Sequence, residues 1–454
     1  MKINDEMYIY IIKQYMLPLF PLHVDDEVTS EVLVEIPDDN SKKDSYVKWD
    51  TITSNNEALI CLKFYSRILG EKKCFKAVFR STYLQHKEQS ISFLNSVWSE
   101  IITGISRINI PEKLVNTEQT KCYLKATCQT AVTIALVRNV IGSGKDATST
   151  MLKIIQELES WSAKTYEGLK IPFGFIIDNS KQGEEGEDYT SFLESKHSAL
   201  FTDGVFSAIE LNSKGRIIQY IPLNSLPTQK DEERIPLCPT RFKHFSELCT
   251  NNKCGVMGLS NGDILIFCKN ALSFAKRSGV WGKWGYNYFY SACLGVMELE
   301  GLAQHEKRKK EKLLKCVYNS IMDASFAHSG ACFAIIKDLT AAKNTIGEAI
   351  LDGKTNQKKA VIRKLISSSN GLLSFEGINE KLRTEMMGLD GAFVIDTSGV
   401  VIAVGAILAV PPGGDEGGRT AAAKALSNYG IGIKVSEDGD VTIYINENKI
   451  LKFS

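Results

Sequence analysis

Residues 388–399 read Gly-Leu-Asp-Gly-Ala-Phe-Val-Ile-Asp-Thr-Ser-Gly. A helical pattern over 375–388 gives way here to a short apolar run, 391–396. The turn Thr397-Ser398-Gly399 and a second apolar run over 400–409 follow. Two buried strands after a helix argue an α/β arrangement. Asp390 stands at the strand edge and points a carboxylate toward the crevice at the sheet margin. Gly391 and Ala392 lack bulk, so backbone can approach a ligand closely.

Downstream, the Gly-rich loop Pro411–Gly418 opens a helix over 419–428. Such a junction presents free backbone N–H groups to an anion. Arg419, in the first turn, adds a planar cation suited to phosphate. Strands over 432–436 and 440–445 form a hairpin around Glu437-Asp438-Gly439. Upstream, a strand over 331–336 leads to a helix over 359–370. A carboxylate able to hold a divalent metal and, some thirty residues on, a phosphate cradle together describe a nucleotide site. Each signal alone also has a plain structural reading: Asp-Gly is a common turn former, and Asp203-Gly204 and Asp352-Gly353 carry the same text.

The remainder divides into three parts: an N-terminal α+β region over 1–150, a strand-rich α+β region over 151–300 and the α/β region over 301–454. The first shows strands over 31–36 and 58–66 and helices over 91–107 and 125–140. The second begins with a helix over 148–166 and continues with strands over 172–177, 203–211, 215–221, 254–258, 262–268 and 271–277. Helices over 287–302 and 307–326 introduce the third. Gly142-Ser143-Gly144-Lys145 resembles a phosphate loop only superficially. Asn139 replaces its first Gly and Asp146 follows the Lys, so it reads as a turn between domains. Lys276 and Arg277 near Trp281 suit either a phosphate or a solvated strand end with a packed Trp.

The chain has 454 residues with 54 Lys+Arg against 53 Asp+Glu, enough for two to four domains at roughly 100–200 residues each. The near-cancelling charge argues against a whole-protein grip on nucleic acid. The basic run Lys307–Lys312 reads as a solvated helix face rather than a nucleic-acid arm. The apolar run Val400–Val410 falls far short of the roughly 20 residues of a membrane helix. The first twenty residues lack the ordered parts of a signal peptide. Eleven scattered cysteines without a CxxC pair suit reduced thiols. The group Cys238, His244, Cys249 and Cys254 matches no common zinc spacing. A cytoplasmic protein with no membrane partner is expected.

Taken in order, five segments resemble the diadenylate cyclase domain, which makes cyclic di-AMP. They are Ala324-Ser-Phe-Ala-His-Ser-Gly330-Ala331-Cys-Phe-Ala-Ile-Ile336, Asp390-Gly391-Ala392, Leu408-Ala-Val-Pro411, Gly418-Arg419-Thr420-Ala421 and Val435-Ser436-Glu437-Asp438-Gly439. The resemblance runs from about Leu314 to the end. Phe274-Ala-Lys-Arg-Ser-Gly-Val-Trp281 is similar to a strand in the sensor domains that precede this cyclase domain in some bacterial proteins.

The resemblance implies a mixed central sheet with flanking helices and a homodimer or higher homo-oligomer. In it two ATP-loaded domains face each other and form cyclic di-AMP and two pyrophosphates. It implies that Asp390 is catalytic and binds Mg²⁺ or Mn²⁺. Gly391 and Ala392 shape the ribose and phosphate pocket, and Gly330 and Ala331 lie near the base. Gly418, Arg419 and Thr420 hold the leaving phosphates, while Ser436 and Glu437 close the site. The chain departs from the pattern in three places. The family's Arg-His-Arg is Arg419-Thr420-Ala421, with Lys424 one turn on. The residue before the Asp-Gly-Ala, often His, is Leu389. Asp415 and Glu416 add negative charge to the loop. A nucleotide-binding regulator without turnover and a cyclase with another cyclic product both stay open.

Overall fold

A computed structural model describes residues 5–20, 29–32, 45–54, 57–68, 71–79, 87–108, 118–142, 144–161, 165–166, 169–170, 172–194, 202–225, 235–299, 301–351, 357–368, 371–372, 374–408 and 417–454. The chain is a mixed α/β protein with sheets of four, seven and six strands and flanking helices. It divides into two compact units: Met1–Thr228 with His244–Trp284, and Gln229–Lys243 with Gly285–Ser454. No helix among the described residues is long and apolar enough to cross a membrane. All eleven cysteines are free thiols.

The first unit holds an antiparallel sheet in the order Thr29–Val32, Glu71–Phe79, Glu57–Ile68, Ser45–Ser54. Helix Lys87–Ser106 buries Phe93, Leu94, Val97, Trp98, Ile101 and Ile105, a helical period that makes one apolar face. Helices Glu118–Ile141 and Lys145–Trp161 follow, joined through Gly142 at φ 79°. The Gly142–Lys145 segment is thus a helix–helix connection inside one unit. The seven-stranded sheet runs Val280–Lys283, Ala271–Arg277, Ile264–Cys268, Lys253–Gly258, Phe173–Asp178, Ser207–Asn212, Ile217–Pro222. Phe173–Asp178 and Ser207–Asn212 are its parallel pair, and both are buried along their whole length. Lys276 and Arg277 are buried, not solvated. Lys276 Nζ meets Glu159 at 2.5 Å and Arg277 Nε meets Asp263 at 3.6 Å.

The second unit begins with helices α1 (Tyr286–Met297) and α2 (Gln304–Phe326). The charged start of α2 is largely exposed, and its last half, from Leu313, is largely buried. Lys310 Nζ donates to Met297 O at 2.6 Å, and Glu311 accepts from Tyr290 at 3.1 Å. Next come β1 (Ala331–Ile336), α3 (Leu339–Ile346), α4 (Gln357–Leu365), α5 (Glu380–Met387), β2 (Ala392–Asp396), β3 (Val401–Ala406), α6 (Gly418–Ser427), β4 (Gly430–Val435), β5 (Val441–Ile445) and β6 (Asn448–Phe453). The sheet order is β3-β2-β1-β4-β5-β6, with β1 and β2 parallel and every other pair antiparallel. Cys332, Ala334 and Ile336 pack with Ala423 and Leu426 of α6 on one face. Phe333 packs with Phe375 and Phe393 on the other, with ring centroids 5.3 and 5.5 Å away. Both faces are covered, which is why β1 reads as an unbroken apolar run.

Several sequence expectations are corrected. The helix expected over 359–370 ends at Leu365, and Ser367–Ser368 pairs with Gly371–Leu372. The one expected over 375–388 is a 3₁₀ turn, Phe375–Gly377, then α5, whose start Asn379 caps by accepting from Lys381 N and Leu382 N. In the first unit, the helix expected to reach 166 ends at Trp161, and Thr165–Tyr166 is extended. Helix α3 and strand β6 had no sequence expectation. The strand residues 33–36, Asp352-Gly353 and residues 409–416 lie outside the described residues.

Candidate functional site

The sheet topology brings one end of four strands together. Ala331 pairs with Val435, Cys332 with Ala392, and Ala392 with Ala406. The starts of β1 and β2 and the ends of β3 and β4 therefore lie at the same margin. Gly330-Ala331, Asp390-Gly391-Ala392 and Ser436-Glu437 are set side by side, although they are far apart in sequence.

Helix α6 joins this margin through Arg419. Its Nη1 donates to Glu437 Oε1 at 2.9 Å. A Cβ placed on Gly330 would stand 2.7 Å from the same Nη1 and 2.8 Å from the guanidinium carbon. Gly330 is also in the left-handed region, at φ 51°. Its missing side chain is the space that the guanidinium fills. Only Nη1 of Arg419 is engaged among the described residues, so its other donors are available. Gly417 caps α6 with no side-chain hydrogen bond, and its carbonyl accepts from Thr420 N at 2.9 Å and Ala421 N at 3.2 Å. The N–H groups of Gly418 and Arg419, which precede these, have no partner among the described residues. Thr420 is buried.

Gly391 is required by backbone packing. It sits at φ 100°, and a Cβ there would lie 2.6 Å from Ala406 O. This close approach of β2 to β3 fixes Asp390 at the strand entrance. Asp390 is exposed and has no hydrogen bond or ion pair among the described residues. The other described Asp-Gly pairs differ. Asp203 Oδ1 accepts from Val205, Phe206 and Ser207 N at 2.8, 2.7 and 3.2 Å. Asp438 accepts from the Ser436 hydroxyl, which holds its carboxyl below the usual carboxylate range. These two carboxylates are spent on turns and that of Asp390 is not.

Ser436 differs from expectation in the same way. Its N donates to Asp440 O at 2.8 Å, and its hydroxyl reaches Asp438 and Asp440 O. It shapes the hairpin that presents Glu437. Sequence reasoning gave no role to His328, which lies at φ 52° with Nδ1 3.0 Å from Glu437 O. It gave none to Ser325, whose hydroxyl donates to Gly439 O at 2.5 Å. The available signal was their place just before Gly330. Burial pushes the Cys332 thiol, next along β1, up to about 12.

Among the described residues no three of His, Cys, Asp and Glu cluster as a metal site. In the zinc grouping Cys249 donates to Phe245 O at 3.3 Å, Cys254 to Val140 O at 3.6 Å, and His244 meets Glu247 at 3.3 Å. At the sheet margin Asp390 offers a single hard oxygen ligand. A lone carboxylate holds Mg²⁺ or Mn²⁺ only where other oxygen ligands complete the set. No family model and no curated protein matches the chain.

Proposed function

We propose that the chain is a diadenylate cyclase: a nucleotidyltransferase condensing two ATP into cyclic di-AMP and two pyrophosphates. The observation that carries the reading is the convergence at one sheet margin of an unengaged carboxylate, Asp390, with the Arg419 guanidinium over Gly330. The ordered segments from Ala324 to Gly439 supply the resemblance. In this reaction the 3′-oxygen of each ribose forms a bond to the α-phosphorus of the other ATP. The bond from that phosphorus to the bridging oxygen of pyrophosphate breaks, and the hydroxyl proton passes to solvent water. A divalent ion held by Asp390 would supply Lewis acidity to lower the 3′-hydroxyl pKa.

The chain's own residues bind and orient. Arg419 and the free N–H groups at the start of α6 hold phosphate oxygens as charge moves onto the leaving pyrophosphate. The guanidinium presents phosphate with donors that Glu437 leaves unengaged. Gly391 keeps backbone close, and Ala331 and Ala392 line the strand starts without bulk. Ser436 orders the hairpin that brings Glu437 to close the margin. Each ATP needs a second one in line, so the active species is a homodimer or larger, cytoplasmic, with the upstream region as sensor.

Pyrophosphate release from ATP with Mg²⁺ or Mn²⁺ tests this. Turnover lost in Asp390→Asn supports it, and no turnover with either metal counts against it. One observation favours a second reading, a nucleotide-binding regulator of the same fold. Ala421, in the first turn of α6, lacks the second cation of the family pattern, and Arg419 is partly neutralised by Glu437. ATP binding by calorimetry without any turnover would select it. A cyclic product other than cyclic di-AMP would keep the fold and change the substrate.

A further inference from the structure

The segment Gln229–Lys243 belongs to the second unit, while the chain on both sides of it belongs to the first. Its described part, 235–242, is bonded along one face of α2. Asn319 Nδ2 donates to Cys238 O at 2.8 Å. Asp323 accepts from Thr240 N at 2.6 Å and from the Thr240 hydroxyl at 2.7 Å. Arg241 Nη2 donates to Phe326 O at 3.2 Å. Positions 319, 323 and 326 follow one another at helical spacing.

The same end of α2 holds the candidate site. Ser325 grips Gly439 O, His328 grips Glu437 O, and Glu437 grips Arg419 over Gly330. Asp323 also accepts from the Thr384 hydroxyl of α5 at 3.5 Å. Helix α5 ends at Met387, and Asp390 follows within one turn's length of chain. Asp323 therefore bonds the 235–242 segment on one side and Thr384 of α5 on the other, and it lies two residues before Ser325 on α2.

We propose that residues 235–242 form a strap through which the upstream chain sets the geometry of the Asp390–Arg419 margin, with Asp323 as the positioning residue at the junction. Both ends of the strap continue covalently into the first unit, so any rearrangement there that pulls on residues 229–243 acts on α2 at Asn319, Asp323 and Phe326. The buried bond at Asn319 and the part-buried pair at Asp323 make the strap a bonded element of the second unit rather than a loose connection. That the strap regulates turnover rests on the cyclase reading; that it sets the margin's geometry does not.

Hydrogen–deuterium exchange on the full chain tests the strap with Thr240→Val, Thr240→Ser and Arg241→Ala, alongside kcat and KM for ATP. Thr240→Val removes the hydroxyl and keeps the backbone bond, a change mild enough to fold. The expected result is several-fold faster exchange at 324–330, 384–390 and 436–440 in Thr240→Val and Arg241→Ala, with wild-type protection restored in Thr240→Ser. It comes with a several-fold change in kcat at nearly unchanged KM. Faster exchange confined to 235–243 overturns the strap, and coupled exchange with unaltered kcat overturns its control of turnover. If the wild type turns over no ATP but the exchange is coupled, the cyclase reading fails and the strap's control of the margin stands.

Discussion

Arg419 occupies the place of a side chain at Gly330: a Cβ on that glycine would lie 2.7 Å from Arg419 Nη1. The atom in the way is the end of a flexible side chain, so Gly330→Ala leaves the fold intact. Its cost comes from the left-handed φ of 51°, about 1 kcal/mol. The variant displaces the guanidinium and weakens ATP binding by calorimetry. Gly391→Ala meets backbone instead, Ala406 O at 2.6 Å, and should cost more, about 2–3 kcal/mol in thermal or denaturant unfolding. Equal losses of stability in the two variants would contradict this assignment.

The Asp-Gly pairs make a matched contrast. Asp203→Ala removes the acceptor of three backbone N–H groups and should cost about 1–2 kcal/mol while leaving ATP turnover intact. Asp390→Ala removes no hydrogen bond and should leave the melting temperature unchanged while abolishing turnover. Paired unfolding and pyrophosphate assays check both halves. A stability loss in Asp390→Ala with turnover retained would return Asp390 to an ordinary turn.

Arg419→Lys keeps the positive charge and loses the planar fork. The Arg419–Glu437 pair is exposed enough that its loss costs little stability, about 0–1 kcal/mol. Turnover should fall about tenfold or more, the loss of one good charge-assisted contact in the transition state. Steady-state kinetics at saturating ATP reads this directly, and wild-type kcat in the variant would remove Arg419 from the site.

Burial raises the Asp323 carboxyl, against the opposing hydrogen bonds from Thr240. A raised carboxyl contributes stability that is full below the ordinary value near 4 and is lost as pH rises through the folded value. Asn at 323 can still accept from Thr240 N and donate to its hydroxyl. The melting temperature of Asp323→Asn should therefore gain on that of the wild type as pH rises from about 4 to neutrality. A constant difference across that range would contradict burial as the cause.

Much of the local structure was legible. The strand over 331–336 reads out because both faces are covered, and the helix ending at Ser106 because its buried positions recur at helical spacing. The helix expected over 375–388 is shorter in the structure because Phe375–Gly377 forms a 3₁₀ turn and the Asn379 side chain caps the helix that follows. Helix α3 starts at a plain Asp338 cap, whose carboxylate accepts from Ala341 N at 2.9 Å, and is short enough to hide in a polar stretch. Asp390, Gly330 and Arg419 were each visible as residue types. Their meeting depends on the pairing of Ala331 with Val435 and of Cys332 with Ala392, contacts between distant segments that no local pattern encodes. The roles of Asp323, Thr240 and His328 arise only from that same tertiary arrangement. The Ser436 hydroxyl, expected at the site, is drawn into its own hairpin turn.

The most direct measurement is mass spectrometry of the products after the full-length protein is incubated with ATP and Mn²⁺ or Mg²⁺, with Asp390→Asn in parallel. The account predicts cyclic di-AMP from the wild type and none from the variant. Unchanged ATP from the wild type with both metals, or equal product from the variant, would contradict it.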